Sequence, residues 1–185
     1  NKCSFNNGYV DMWNNWSRKR SGIPVYDLWL DNYNDILQKN KDTEILDLGC
    51  GIGADTLYLI ERGYKVLSCD FSKEALKSIK YNIPNSKTEY LNMLEKFPIQ
   101  DNTYSLIIAD LSLHYFDNET TIHIMNEIKR NGDSFNVSII ECSIVWNIVC
   151  IFFLLFLTKY FIFSILEIVY CSKKLNTIVC ISIYF

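Results

Sequence analysis

The fold is decided by the stretch Glu44-Ile-Leu-Asp-Leu-Gly-Cys-Gly-Ile-Gly53. It begins with a short apolar run and ends in glycines at alternate positions. A helical pattern, Asp55-Thr-Leu-Tyr-Leu-Ile-Glu-Arg62, follows directly. An apolar run, a glycine turn and a helix together predict a strand–turn–helix unit. Units of this kind build open sheets that bind ligands at the carboxyl ends of their strands.

Further strands and helices alternate along the chain after this unit. The predicted elements are a strand over Lys65–Cys69 ending at Asp70, a helix from Ser72 to Pro84, strands at Tyr90-Leu91 and Ser105–Asp110, and a helix over Asn118–Lys129. This order predicts an α/β fold, a Rossmann-like, mostly parallel sheet with helices on both faces.

The chain divides by composition into three parts. Residues 1–40 are predicted to form an N-terminal helical cap, with one helix before Pro24 and a second starting near it. Residues 41–130 form the Rossmann-like core. Residues 131–185 are a hydrophobic tail with one glycine and no proline. We expect this tail to leave the C-terminal part of the sheet incomplete.

The tail has two interpretations. Residues 142–158 carry no charge and just reach the length that a membrane-crossing helix needs, which predicts a membrane anchor with the rest of the chain in the cytosol. Alternatively, the tail is not a native segment and results from translation into an AT-rich non-coding stretch. We favour the second interpretation, because residues with AT-rich codons dominate the tail.

Composition excludes several classes of function. The formal net charge of -3, with scattered basic residues, argues against nucleic-acid binding. The seven cysteines include no C-x-x-C pair, and with two histidines they predict no metal site. No signal peptide precedes them, so we expect reduced thiols and a cytoplasmic protein.

The glycine turn and Asp70 predict a cofactor that contains adenosine. Glycines let the backbone approach a ligand closely, and a carboxylate at the end of the second strand can accept hydrogen bonds from a ribose. The spacing Gly49-x-Gly51-x-x-Ala54 also fits the loose dinucleotide fingerprint, so an NAD-binding domain is the alternative. Asp47 beside the turn would repel a pyrophosphate and attract a cation, which favours a cationic cofactor.

The motifs of this region resemble those of class I S-adenosylmethionine-dependent methyltransferases. The run Leu46–Gly53 resembles their first motif, Val66–Asp70 their second, and Leu106–Phe116 their fourth-strand motif. The whole is most similar to small methyltransferase-domain proteins of the tellurite-resistance type, over roughly residues 9–130. The resemblance implies S-adenosylmethionine as cofactor, held by Asp47, Gly49, Cys50, Gly51, Gly53, Asp70, Phe71, Asn92, Met93 and Asp110.

The resemblance also implies methyl transfer to an unidentified, small-molecule acceptor. Asp110 would lie beside the transfer point, and His114 is the candidate general base. The residues expected to face the acceptor are Trp16, Tyr26, His114 and Tyr115. The alternative is a truncated or membrane-tethered protein that keeps the motifs without catalysis.

Overall fold

The structure, a computed structural model, describes residues 7–132, 138–142, 166–172 and 177–183. The helices are α1 (Asn7–Lys19), α2 (Asn34–Lys39), α3 (Ala54–Glu61), α4 (Lys73–Asn82) and α5 (Asn118–Asn131). The strands are β1 (Glu44–Leu48), β2 (Lys65–Asp70), β3 (Lys87–Tyr90), β4 (Leu106–Ile108), β5 (Ser138–Cys142), β6 (Leu166–Ser172) and β7 (Thr177–Ile183). Short 3-10 helices cover Trp29–Tyr33 and Leu113–Tyr115.

The strands form one sheet in the order β3-β2-β1-β4-β5-β6-β7. Every neighbouring pair from β3 to β6 is parallel, and β7 runs antiparallel to β6. β1 lies between β2 and β4, so the chain adds strands first on one side of β1 and then on the other. In open α/β sheets such a switch point, at the carboxyl ends of the strands, is where ligands bind.

Both faces of the sheet are buried. Alternate residues of each central strand point to opposite sides, and an apolar cluster packs on each side. On one face Ile45 packs in a cluster with Tyr58 and Leu59 of α3. On the other face Leu46 packs in a cluster with Ile124 and Ile128 of α5. Helices therefore cover both faces, and the Rossmann-like fold predicted from the alternating pattern is confirmed.

The N-terminal part and the third strand differ from the prediction. The helix expected near Pro24 begins instead at Trp29, as a 3-10 turn, and Val25 is 90% exposed. The third strand covers Lys87–Tyr90 rather than Tyr90-Leu91. This strand lies at the edge of the sheet and is largely exposed, so its polar residues carry no apolar alternation to reveal it.

The C-terminal part of the sheet also differs from the prediction, which expected it to be incomplete. The sheet continues beyond β4 through three strands that all come from residues 131–185. The first of them, β5, covers Ser138–Cys142 and pairs with β4. The predicted membrane segment, residues 142–158, lies outside the described residues except at Cys142. Within the described ranges, no helix is long and apolar enough to cross a membrane.

The end of α5 is fastened to the segment that leads into β4. The Asn131 carbonyl accepts hydrogen bonds from the backbone amides of Thr103 and Tyr104, at 2.8 and 3.0 Å. The Asn131 side-chain amide donates to the carbonyl oxygen of Ile99 at 2.9 Å. Gly132 then forms a parallel bridge with Tyr104. The chain is therefore directed along β4 before β5 begins.

Candidate cofactor and acceptor site

A cavity of about 300 Å³ lies at the carboxyl ends of β1, β2 and β4. The glycine turn after β1 forms its floor, and Asp70 of β2 and Asp110 after β4 flank it. Met93, after β3, also contributes to the wall. Helix α1 covers the cavity with aromatic side chains. The cavity lies where the sequence predicts a ligand.

The glycine turn has two positions with different requirements. Gly49 has φ +75°, and a Cβ there would lie 2.6 Å from the Ser112 Cβ and 2.8 Å from the Met93 Cε. Gly51 has φ +54°, but a Cβ there would have no atom within 4 Å. Both glycines need a left-handed backbone that disfavours other residues. Gly49 is also needed for packing, whereas Gly51 lies beside open space in the cavity.

Asp70 ties the end of β2 to the glycine turn. Its Oδ2 accepts a hydrogen bond from the Gly51 amide at 2.9 Å, and its Oδ1 accepts one from the Ser72 amide at 2.7 Å. Burial raises the pKa of the Asp70 carboxyl, and these amide hydrogen bonds act in the opposite direction. Each carboxylate oxygen has a second lone pair, so Asp70 can accept further hydrogen bonds from hydroxyls of a ligand.

Asp47 is buried below the turn in a small polar network. The Thr56 hydroxyl donates to Asp47 Oδ2 at 2.7 Å, and it lies 2.7 Å from the Ser68 hydroxyl. Burial raises the pKa of Asp47 well above its ordinary value. The nearby carboxylates of Asp55, Asp110 and Asp70 raise the pKa further. A positive charge near Asp47 would therefore stabilise its ionised carboxylate form.

The ionisable side chains on the described cavity wall include four carboxyl groups and no basic group. The carboxylates of Asp47, Asp55, Asp70 and Asp110 all contribute to its wall, and no lysine, arginine or histidine is among its described lining residues. Asp55 also accepts a hydrogen bond from the Trp29 indole at 2.9 Å. Such a wall repels a pyrophosphate and attracts a sulfonium or an ammonium group.

Helix α1 places aromatic rings over the cavity. Trp13 lies at the centre, with its ring centroid 5.1 Å from Tyr115, 5.8 Å from Trp16 and 6.2 Å from Tyr9. All three pairs are edge-to-face. Tyr9 also stacks on Phe71 at 5.9 Å. These rings join α1 to the loops that follow β2 and β4.

Most of the residues predicted for the site are brought together. Asp47, Gly49, Cys50, Gly51, Asp70, Phe71, Met93, Asp110, Trp16 and Tyr115 line the cavity. Burial and the carboxylates of Asp47 and Asp70 raise the pKa of the Cys50 thiol, so the sulfur stays protonated. The roles of these residues toward a ligand stay predictions.

Four predicted residues are not among the described residues of the cavity wall: Gly53, Asn92, Tyr26 and His114. Gly53 serves as the N-cap of α3, with φ +92°. Asn92 turns its side chain to the Leu94 amide and to Glu95. Tyr26 lies against Tyr58 and donates a hydrogen bond to Glu61, away from the cavity. These contacts hold Tyr26 and Asn92 in local structure.

His114 is also absent from the cavity wall, although its neighbour Tyr115 is present. The imidazole lies against the Tyr115 ring, with 3.9 Å between the centroids. Its Nδ1 is buried without a hydrogen-bond partner among the described residues. Burial lowers the pKa of His114, which favours the neutral imidazole. The predicted role of His114 as a general base gains no support from this position.

Several lining residues were not predicted for the site. They include Tyr9, Ser17, Asp55, Ser112 and Phe116, while Trp13, which the sequence suggests as a lid residue, also lines the cavity. A signal existed for the α1 residues, because Tyr9, Trp13 and Trp16 recur at helical spacing. The same spacing is typical of core packing, so periodicity alone does not show which surface the rings cover. Asp55 follows the first motif, and Ser112 lies inside the run Leu106–Phe116 without having been singled out.

Known proteins share this fold and these motifs. Residues 45–131 match the family model described as a methyltransferase domain. An uncharacterized methyltransferase of Mycobacterium bovis is 28% identical over 103 residues, which cover 56% of this chain and 39% of the relative. One from Synechocystis is 34% identical over 71 residues, covering 38% of this chain and 33% of the relative.

Solved structures agree on the fold. An S-adenosylmethionine-dependent methyltransferase from Methanosarcina mazei superposes with a TM-score of 0.55 at 21% identity, covering 67% of this chain and 62% of that protein. The sheet order and the glycine turn at the switch point define a Rossmann-like fold, which the Methanosarcina mazei structure shares. Over residues 45–131 the chain is similar to methyltransferase domains. It matches only about two fifths or less of the length of these curated relatives.

Proposed function

We propose that this chain binds S-adenosylmethionine in the cavity and transfers its methyl group to a small-molecule acceptor. The observation that carries the proposal is the combination, in one cavity, of an open glycine turn and a wall of four carboxylates. S-adenosylmethionine carries a sulfonium group, an ammonium group with a neighbouring carboxylate, and a ribose. The cavity offers negative charge for the sulfonium and ammonium groups and a buried acceptor, Asp70, for the ribose.

Each part of the cavity has a defined task in this proposal. Asp70 accepts hydrogen bonds from the ribose hydroxyls while it keeps the turn closed through Gly51. Asp47 and the turn residues face the charged methionine part. The bound cofactor supplies an electrophilic methyl carbon, which forms a bond to a lone pair of the acceptor while the carbon–sulfur bond breaks and its electron pair stays on sulfur. Direct displacement of this kind needs positioning more than a nucleophilic residue.

The same observations bear on the alternatives. The NAD alternative requires a pyrophosphate in a cavity whose described wall has carboxylates and no basic side chain, so the charge disfavours it. We further propose that residues 1–40 act as a cap over a cofactor-binding core at 41–130, because α1 closes the cavity. A cytoplasmic location, predicted from the sequence, stays a prediction.

Calorimetric titration of the full chain with S-adenosylmethionine, and separately with NAD, tests the proposal. We expect S-adenosylmethionine to bind and NAD not to bind. The Asp70→Asn variant keeps the shape of the side chain but loses its charge and half of its acceptor capacity. Its affinity for S-adenosylmethionine should therefore fall about tenfold, the effect of losing about 1.4 kcal/mol of charge-assisted hydrogen bonding.

The matched control is Asp42→Asn. Asp42 is exposed and precedes β1, at the end of the strands opposite the cavity. This variant should bind S-adenosylmethionine like the parent chain. Folded protein, verified by circular dichroism, that binds no S-adenosylmethionine would refute the proposed function. Equal loss of affinity in both variants would refute the role of Asp70.

A further inference from the structure

The part of the cavity beyond the glycine turn has an aromatic wall with a carboxylate beside it. Trp13, Trp16 and Tyr115 meet at steep angles, with 64° between the two indole planes and 76° between Trp13 and Tyr115. Rings that meet in this way form a corner rather than a stack. Asp110, which follows β4, lines the same cavity. Neither the family nor the relatives indicate what this corner binds.

The aromatic faces suit a cation. The faces of indole and phenol rings carry negative potential, and cages of such rings recognise quaternary and substituted ammonium groups. Trp16 already shows this property in the structure, because the Arg20 guanidinium lies over its ring at 4.3 Å. Arg20 is not among the described residues that line the cavity.

The surface that the three rings offer is mainly aromatic. Trp13 Nε1 is buried and has no hydrogen-bond partner among the described residues, so the rings contribute their faces and edges to the cavity. An organic cation matches such a surface better than a group that needs several hydrogen bonds.

We propose that the methyl acceptor of this chain is a small organic amine, held as substrate and as methylated product by Trp13, Trp16, Tyr115 and Asp110. This inference rests on the proposed function, since it names the acceptor class of the same site. The bound ammonium group first loses a proton to solvent, which frees the nitrogen lone pair. That lone pair forms the new bond to the methyl carbon while the carbon–sulfur bond breaks and its electron pair stays on sulfur. Acceptors that carry carboxylate or phosphate groups are disfavoured, because they would meet the four carboxylates of the wall.

Choline and 3,3-dimethylbutan-1-ol provide a direct test. The two molecules have the same shape, but choline has a charged nitrogen where the alcohol has a neutral carbon. Choline resembles a fully methylated product and cannot accept another methyl group, so binding is measured without turnover. The full chain is first saturated with S-adenosylhomocysteine and then titrated with each molecule. We expect choline to bind at least about tenfold more tightly than the neutral alcohol.

Variants locate the site. Trp13→Leu removes the central ring, and Asp110→Asn removes one charge without changing shape. Each should reduce choline affinity about tenfold or more while leaving the weak binding of the neutral alcohol nearly unchanged. Asp110→Asn keeps the test decisive if Trp13→Leu does not fold. Tyr81→Leu is the matched control, because Tyr81 is 84% exposed on α4, and it should have no effect.

The outcomes separate this inference from the proposed function. Binding of S-adenosylhomocysteine without any preference for choline would overturn the amine inference and leave the methyltransferase function standing. A preference for choline that neither Trp13→Leu nor Asp110→Asn reduces would also overturn it, because the cation would bind elsewhere. Failure to bind S-adenosylhomocysteine would count against the proposed function itself.

Discussion

Replacing Gly49 by alanine should destabilise the fold far more than replacing Gly51. Both residues have positive φ, +75° and +54°. The left-handed backbone costs an alanine about 1 to 2 kcal/mol. The smaller entropy of the unfolded chain offsets about 0.4 to 1 kcal/mol of this cost. These two contributions are common to both variants. The net cost of Gly51→Ala is therefore about 1 kcal/mol.

Gly49→Ala carries an additional steric cost. Its new methyl group would lie 2.6 Å from the Ser112 Cβ, which is fixed close to the backbone, and 2.8 Å from the flexible end of Met93. Overpacking of one methyl group in a tight site costs about 1 to 3 kcal/mol. We therefore expect Gly49→Ala to lower the free energy of unfolding by about 1 to 3 kcal/mol more than Gly51→Ala does.

Urea unfolding followed by circular dichroism measures both variants, with the dependence on urea concentration checked for a common slope. Adding Ser112→Gly to Gly49→Ala removes the nearer contact, so a double-mutant cycle should give a favourable coupling of about 0.5 kcal/mol or more. A difference between the two alanine variants below about 0.5 kcal/mol would refute the steric argument. Gly51→Ala should instead weaken ligand binding, because its methyl group would take space in the cavity.

Two further predictions concern the buried polar groups. Because the pKa of Asp47 is raised, the folded state binds the Asp47 proton more tightly than the unfolded state does. This contribution to stability is fully present below the ordinary aspartate pKa of about 3.9. It is lost as the pH rises through the pKa of Asp47 in the folded state. Asp47→Asn should therefore make the free energy of unfolding fall less steeply with rising pH, measured by urea unfolding at a series of pH values; an unchanged slope would contradict a raised pKa at Asp47. Ser72 caps α4 by accepting from the Ala75 amide, and its hydroxyl donates to Asn14 of α1. Ser72→Ala should lower the free energy of unfolding by about 1 kcal/mol or more, measured by thermal unfolding, whereas Ser86→Ala, which removes a buried hydroxyl without a partner among the described residues, should not; equal effects would argue against the cap.

The sequence predicts the centre of this fold well because local and long-range signals agree there. β1 and β2 are short, buried runs that end in a glycine turn or an acid, and each feature has one structural interpretation. β3 was misplaced because an exposed edge strand needs no apolar pattern. β6 and β7 were not predicted, since a tail that is mostly apolar shows too little alternation for register or strand ends to be read from it.

The site was predictable where a residue type is required by chemistry at a strand end. Asp47, Asp70 and Asp110 follow this rule, and all line the cavity. The rings of α1 were harder to place, because helical spacing shows that they share a face but not what that face covers. Tyr26 and His114, which were also predicted for the site, are not among the described residues that line the cavity. Their sequence neighbourhoods suggested the site, while Glu61, Tyr58 and local burial fix them elsewhere.

The attachment of Asn131 has a consequence for how such a protein can be taken apart. The hydrogen bonds to Thr103 and Tyr104, and the bridge from Gly132, set the direction in which the chain leaves α5 without help from anything after them. The contacts that place the chain next to β4 therefore all involve residues up to Gly132. Exchange of the segment after Gly132 for the corresponding segment of a related domain should therefore leave these hydrogen bonds in place.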